Sequence, residues 1–137
     1  MEIRRYNQQK RKNGSNIFYI QSHGLNAGKP LKIPIPNSWE IETKNEKAFE
    51  ICFVVFNSKI LNPYLRGSVI PFITLHEYKK IILPYLKVPI DEEAEKKLNT
   101  LQTIDKALAE LESRNRLFRQ LKNVLAYELI KKLNAQY

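Results

Sequence analysis

The chain has 137 residues, 43% hydrophobic and 27% charged, with 23 Lys/Arg against 14 Asp/Glu and a net charge of +9. That length suits one modest core, and the composition excludes a disordered chain. The longest apolar run, Ala48 to Phe56 with Glu50 inside it, falls far short of the roughly 20 residues of a membrane span. The start, Met-Glu-Ile-Arg-Arg-Tyr, lacks the apolar stretch of a signal peptide, and the single cysteine, Cys52, has no partner for an internal disulfide. Together these imply a cytoplasmic protein that does not enter a membrane.

In chain order, Met1 to Lys12 is polar and basic, and Asn13-Gly14-Ser15 reads as a turn. Asn16 to Ser22 is rich in β-branched and aromatic residues and predicts a strand. His23 to Leu31 holds two glycines and Pro30 and predicts a loop; Lys32 to Pro36, with two prolines, predicts an edge or extended segment. Ser38 to Thr43 alternates apolar and acidic residues, the pattern of a half-buried strand. Asn45 to Ile60 is long for a strand despite its β propensity. With Asn45 as N-cap and Glu46 behind it, it predicts a largely buried helix. Asn62-Pro63 makes a turn. Ser68 to Ile73 reads as a short strand, Leu75 to Lys80 as a short helix or turn, and Ile81 to Leu83 as a last strand before Pro84.

From Pro89 the pattern changes. Every glycine and proline lies at or before Pro89. Asp91 can cap a helix whose first turns carry Glu92, Glu93 and Glu95. Five Glu-to-base pairs follow at i,i+4: Glu92–Lys96, Glu93–Lys97, Glu110–Arg114, Glu112–Arg116 and Glu128–Lys132. Apolar residues recur at spacings of three and four: Ala94, Leu98, Leu101, Ile104, Leu108, Leu111, Phe118, Leu121, Leu125 and Leu129, with Asn115 as the polar gap. The fold expected is therefore α+β. A small mixed head, residues 1–88, holds short antiparallel strands and one buried helix, and a long amphipathic helical arm occupies residues 89–137. A break near Ser113-Arg114-Asn115 would instead fold the arm into a helical hairpin.

Charge divides with the fold. Residues 1–90 hold 14 Lys/Arg against 6 Asp/Glu, whereas the remainder holds 9 against 8. A basic head points to a polyanionic partner, with double-stranded DNA the first candidate. Arg4, Arg5, Lys10, Arg11, Lys12, Lys29 and Lys32 are the expected phosphate-seeking cations, with Asn26 and Gly28 allowing close approach of a sugar-phosphate chain. Within the arm, Asp91 to Glu112 has seven acids and three lysines, and Ser113 to Tyr137 has six bases and one acid. Two such helices repel in parallel and attract when antiparallel. Leu98, Leu101, Ile104, Leu108, Leu111, Asn115, Phe118, Leu121 and Leu125 are the expected pairing residues, with Asn115 able to fix the register.

No catalytic constellation is legible, so the expectation is a protein that is not an enzyme and uses no cofactor or metal. Asp91 and Asp105 have capping and surface roles on the arm. His23 and His76 lack partners at ligand spacing. Gly24-Leu-Asn-Ala-Gly28-Lys29-Pro30 has three residues between its glycines and a proline after its lysine, which does not make a phosphate-binding loop. Glu42-Thr43-Lys44 is half of a metal-dependent nuclease pattern, for which Glu40 or Glu50 would have to supply the missing carboxylate.

From about residue 46 the order of parts resembles a known arrangement. An apolar segment, Phe49 to Phe56, leads through Asn57-Ser58-Lys59 and Leu61 to Leu65 to Gly67-Ser68-Val69-Ile70-Pro71-Phe72-Ile73. Leu75 to Lys80, Ile81-Ile82-Leu83-Pro84 and a long helix containing Ile104-Asp105-Lys106-Ala107-Leu108 and Leu117 to Lys122 follow. This resembles the end of a target recognition domain and the conserved helix after it in the specificity subunits of type I restriction-modification systems. The resemblance covers about two-thirds of the chain. It implies a DNA-reading head and a helix packed antiparallel against its counterpart. The departures are the missing Gln before the helix and a head about half the usual size. The chain is also similar to short uncharacterised bacterial proteins carrying Gly-Leu-Asn-Ala-Gly-Lys-Pro. The functional expectation is a non-enzymatic DNA-binding or specificity-subunit-like module that forms a homodimer through its arm. The alternative is an interaction or decoy protein that docks on a restriction complex or another helical protein partner.

Overall fold

The computed structural model describes residues 1–10 and 16–136 and shows an α+β protein, as expected. It falls into two compact units, Met1–Ile90 and Asp91–Tyr137. The first contains strands β1 (Glu2–Arg5), β2 (Ile17–Gln21), β3 (Pro30–Leu31) and β4 (Ser38–Glu42), then helices α1 (Ala48–Asn57) and α2 (Leu75–Lys87). The second is one helix, α3 (Glu92–Asn134).

The four strands form an antiparallel sheet in the order β1-β4-β2-β3. Alternation sends Ile3, Phe18, Ile20, Trp39 and Ile41 to one face. There they join Ala48, Cys52 and Val55 of α1 and Tyr78 and Ile82 of α2 in a single core. Aromatic edges lock the layers, with Phe18 against Phe49 at 5.5 Å and Trp39 against Tyr78 at 5.4 Å between ring centroids.

Strand β1 lies in a stretch that reads only as polar and basic. It forms because β4 supplies its hydrogen-bond ladder from Glu2↔Glu42 to Arg5↔Trp39, and because its charged side chains suit an exposed edge. With β1 outside it, β4 becomes an interior strand. Ser38, Trp39, Glu40 and Ile41 are all buried, rather than alternately exposed as the sequence suggests. The other edge, β3, opens at Pro30, inside the stretch expected to be a loop. A residue without an N–H is tolerated there.

The expected helix after β4 exists, but its N-cap is Lys47 rather than Asn45. The Asn45 side chain instead accepts from the Lys47 amide at 2.9 Å, turning the chain just ahead of the helix. Two expected strands are absent. Around Gly67 (φ 93°) the chain doubles back through a single Arg66–Phe72 bridge, which leaves Val69 and Ile70 at an exposed tip. Ile81 to Leu83 lies inside α2, continuous with the short helix expected at Leu75 to Lys80. The deciding signal is a capping box at Thr74-Leu-His-Glu77, with the Glu77 amide donating to Thr74 Oγ1 at 3.2 Å. Tyr78 and Ile82, four apart, bury one face. Pro84 sits inside α2 on its exposed side, so water reaches the carbonyl it leaves without an amide partner.

Cys52 is a core residue, as its place in the apolar run implies. Burial pushes its thiol up to about 11, and the Tyr78 phenol, its polar neighbour, well above the usual range. The Tyr78 hydroxyl has no geometrically regular hydrogen bond. Tyr78→Phe should therefore leave stability unchanged or raise it by up to about 1 kcal/mol in urea titrations. The thiol's ordinary value is 9.0 and its folded value about 11. Its contribution is thus complete below pH 9 and is lost as pH rises towards 11, amounting to roughly 2–3 kcal/mol. Melting temperature measured from pH 8 to 11 should fall over that window. Alkylation of Cys52 should require unfolding.

Candidate functional site

On the sheet face away from the core, one cross-strand row places Arg4 beside Glu40 and Glu40 beside Tyr19. Arg4 Nε donates to Glu40 Oε1 at 2.8 Å, and Nη2 donates to the same oxygen. The same guanidinium reaches Glu42 and Glu2, each at 3.2 Å. Glu40 is 3% exposed, and leaving a buried carboxylate without such a partner would be strongly destabilising. Arg4 is therefore engaged as a counter-ion within the sheet. Glu42, half of the nuclease pattern, belongs to the same cluster. Arg4→Met should lower the melting temperature, and Arg4→Met/Glu40→Leu should recover part of the loss. A double-mutant cycle on thermal unfolding checks this.

Among the described residues, the other expected phosphate contacts have different surroundings. Arg5, exposed at the end of β1, lines one cleft with His23 of the β2–β3 turn, whereas Asn26 and Lys29, farther along that turn, do not line it. Asn26 is exposed and Lys29 half-buried. Lys32 lies over the Phe49 ring, 5.6 Å from its centroid. Gly28 is buried, and its amide is committed to the Gln21 carbonyl at 2.7 Å. It packs closely on Leu61. Arg11, Lys12 and the side chain of Lys10 lie outside the described residues.

The arm is one continuous 43-residue helix, which excludes the hairpin alternative. Asp91 caps it by accepting from the Ala94 amide at 2.8 Å, the role its sequence position implies. The first two acid–base spacings close into ion pairs, Glu92–Lys96 at 2.9 Å and Glu93–Lys97 at 2.7 Å. No residue of α3 is buried. Its stripe is half-buried at Ala94 and Leu98 and open to solvent beyond them, from 37% exposed at Leu101 to 69% at Phe118. In heptad terms Leu101, Leu108, Asn115, Lys122 and Leu129 alternate with Ile104, Leu111, Phe118 and Leu125. Leu98 and Leu121 flank that seam. The C-terminal half adds a second row outside it, Leu117, Leu121 and Val124, each more than half exposed. Among the described residues no three His, Cys, Asp or Glu side chains could hold a metal, and no helix is long and apolar enough to cross a membrane.

These features define a two-unit α+β protein in which a small basic head precedes a long amphipathic helix with no buried residue. The chain belongs to a family of unknown function (DUF6943), matched over residues 3–128. No match was found among curated proteins or solved structures.

Proposed function

We propose that this protein is a non-enzymatic DNA-binding module that dimerises through antiparallel pairing of its α3 arms. The observation that carries the reading is the open apolar stripe on a 43-residue helix with no buried residue. An isolated helix draws little stability from propensity, so such a stripe needs a cover. Complete antiparallel overlap of two copies, centred on Ser113, brings opposite seam positions face to face. Leu101 meets Leu125, Leu108 meets Phe118, and Leu111 meets Asn115 of the second copy. The same overlap sets each acidic half, residues 91–112, along the other's basic half. The register that pairs the seam is thus also the one that pairs the charge. Spanning roughly 65 Å at 1.5 Å per residue, the pair would separate the two head attachment points by that distance.

The DNA half of the reading rests on the basic excess of the head and on the resemblance to restriction specificity subunits. Two segments within the resemblance, Ser68 to Ile73 and Ile81 to Leu83, read as strands from their residues and are not strands here. Charge therefore carries more of the argument than pattern does. Titration of the full chain against duplex DNA should give binding that weakens at least about tenfold between 50 and 200 mM salt. No binding at the lower salt would sink this half of the proposal.

A second reading is favoured by Leu117, Leu121 and Val124. A two-stranded pair covers only the seam, so this added row suits a further helix from another protein. That is the interaction or decoy role, and it predicts stable co-purification of a partner together with weak DNA affinity.

A further inference from the structure

Where β1 ends and β4 begins, a cleft of about 480 Å³ opens beside the segment preceding α2. Its volume falls within the range of small-molecule sites. Its lining includes Arg5, Tyr6, His23 and Phe72, and no Asp or Glu. Arg5 has no ion-pair partner among the described residues, in contrast to Arg4 one position earlier and to Arg66, which pairs with Glu77.

His23 is exposed, yet a buried network holds its ring. Ser22 is 3% exposed, and its hydroxyl donates to the carbonyl of Asn37. Asn37 adopts a left-handed conformation at φ 59°, and its carbonyl also accepts from the Ser22 amide at 3.0 Å. Because the Ser22 proton is committed there, Ser22 Oγ is left to accept from His23 Nδ1, 2.7 Å away. Nδ1–H therefore donates to Ser22, and in the doubly protonated ring Nε2–H is left to donate to an anion. The ring is also stacked on Phe72, with centroids 5.5 Å apart and planes 19° apart. A turn that merely joins two strands needs neither an oriented histidine nor an unpaired arginine beside it.

We propose that this cleft binds a nucleotide, with Arg5 and His23 holding its phosphate while Tyr6 and Phe72 flank a flat base. The chemistry is the same whether the nucleotide is free or is the 5′-phosphorylated end of a strand. This inference stands apart from arm pairing and from binding along duplex DNA. A nucleotide site would survive the failure of either.

The test titrates the full chain with AMP, adenosine, a 5′-phosphorylated single strand and the same strand with a 5′-hydroxyl. Heat of binding and the fluorescence of Trp39, the only tryptophan and part of the cleft lining, are the readouts. Saturable binding of AMP, at least about tenfold weaker for adenosine, is the expected result and indicates a free nucleotide. Binding confined to the phosphorylated strand also supports the site and indicates a strand end. Arg5→Gln should weaken whichever probe binds about tenfold or more, and His23→Gln severalfold. Both side chains are exposed, so each variant should keep the far-ultraviolet spectrum of the parent. Adenosine binding as tightly as AMP, indifference to Arg5→Gln, or no saturable binding by any probe would overturn the proposal.

Discussion

If the arms pair as proposed, Leu108→Asp should make the protein a monomer at micromolar concentration in sedimentation equilibrium. In the proposed antiparallel pair, two copies of the residue would lie near the centre, each opposite Phe118 of the other chain. Removing a buried leucine costs about 2–5 kcal/mol, and a carboxylate left without a partner adds to that. With the change present in both chains, the loss is roughly 5 kcal/mol or more, which raises Kd over about a thousandfold. Helicity should fall as well, because the separated arm keeps its caps and local ion pairs but loses its packing. Lys106→Asp, away from the seam, serves as the control and should remain dimeric. A Leu108→Asp protein that stays a dimer would show that the stripe is not the interface.

Gly28→Val should destabilise the head by about 2–4 kcal/mol in denaturant unfolding, for two separate reasons. The backbone there has φ +91°, a left-handed value that a β-branched residue adopts only under strain. An added Cβ would also stand 2.3 Å from Leu61 Cδ1. Leu61 is 2% exposed and held in the core, so it has little room to move aside. Gly28→Ala should show a smaller loss of the same sign. A variant as stable as the parent would mean that the β2–β3 turn does not pack on Leu61 in solution.

Both results bear on how the two units divide their roles. The head's core is completed by its own residues, with Ile20, Ile41, Tyr78 and Ile82 fully buried. The arm's apolar surface is completed by nothing in its own unit. Stability of the head should therefore be independent of protein concentration, while arm helicity should rise with it.

Much of this organisation follows from the order of residues. The period of three and four from Leu98 onward, the Asp91 cap and the lack of breakers after Pro89 specify the long helix. Its lopsided charge specifies which way a second copy would lie. The β-branched and aromatic run at Ile17 to Ile20 specifies β2, and the apolar run holding Cys52 specifies a buried helix. These are local properties, set by propensity and by periods of a few residues.

Tertiary structure decided the rest, because pairing partners distant in sequence do not announce themselves. Nothing within Glu2-Ile-Arg-Arg says strand until β4, more than thirty residues away, offers its ladder. That pairing buries Glu40, and the buried carboxylate takes Arg4 out of the set of free cations. Gly28, legible as a flexible turn residue, is packed on Leu61, a contact that exists only once β3 and α1 are layered. Thr74 and Glu77 did carry a readable helix start. The Ile-Ile pair beside them has the opposite local preference, and burial of Tyr78 and Ile82 on one face settled the contest for the helix. Sequence alone thus specified the arm and the direction in which a second copy would pair with it. Packing chose which of the head's charges remain free to meet another molecule.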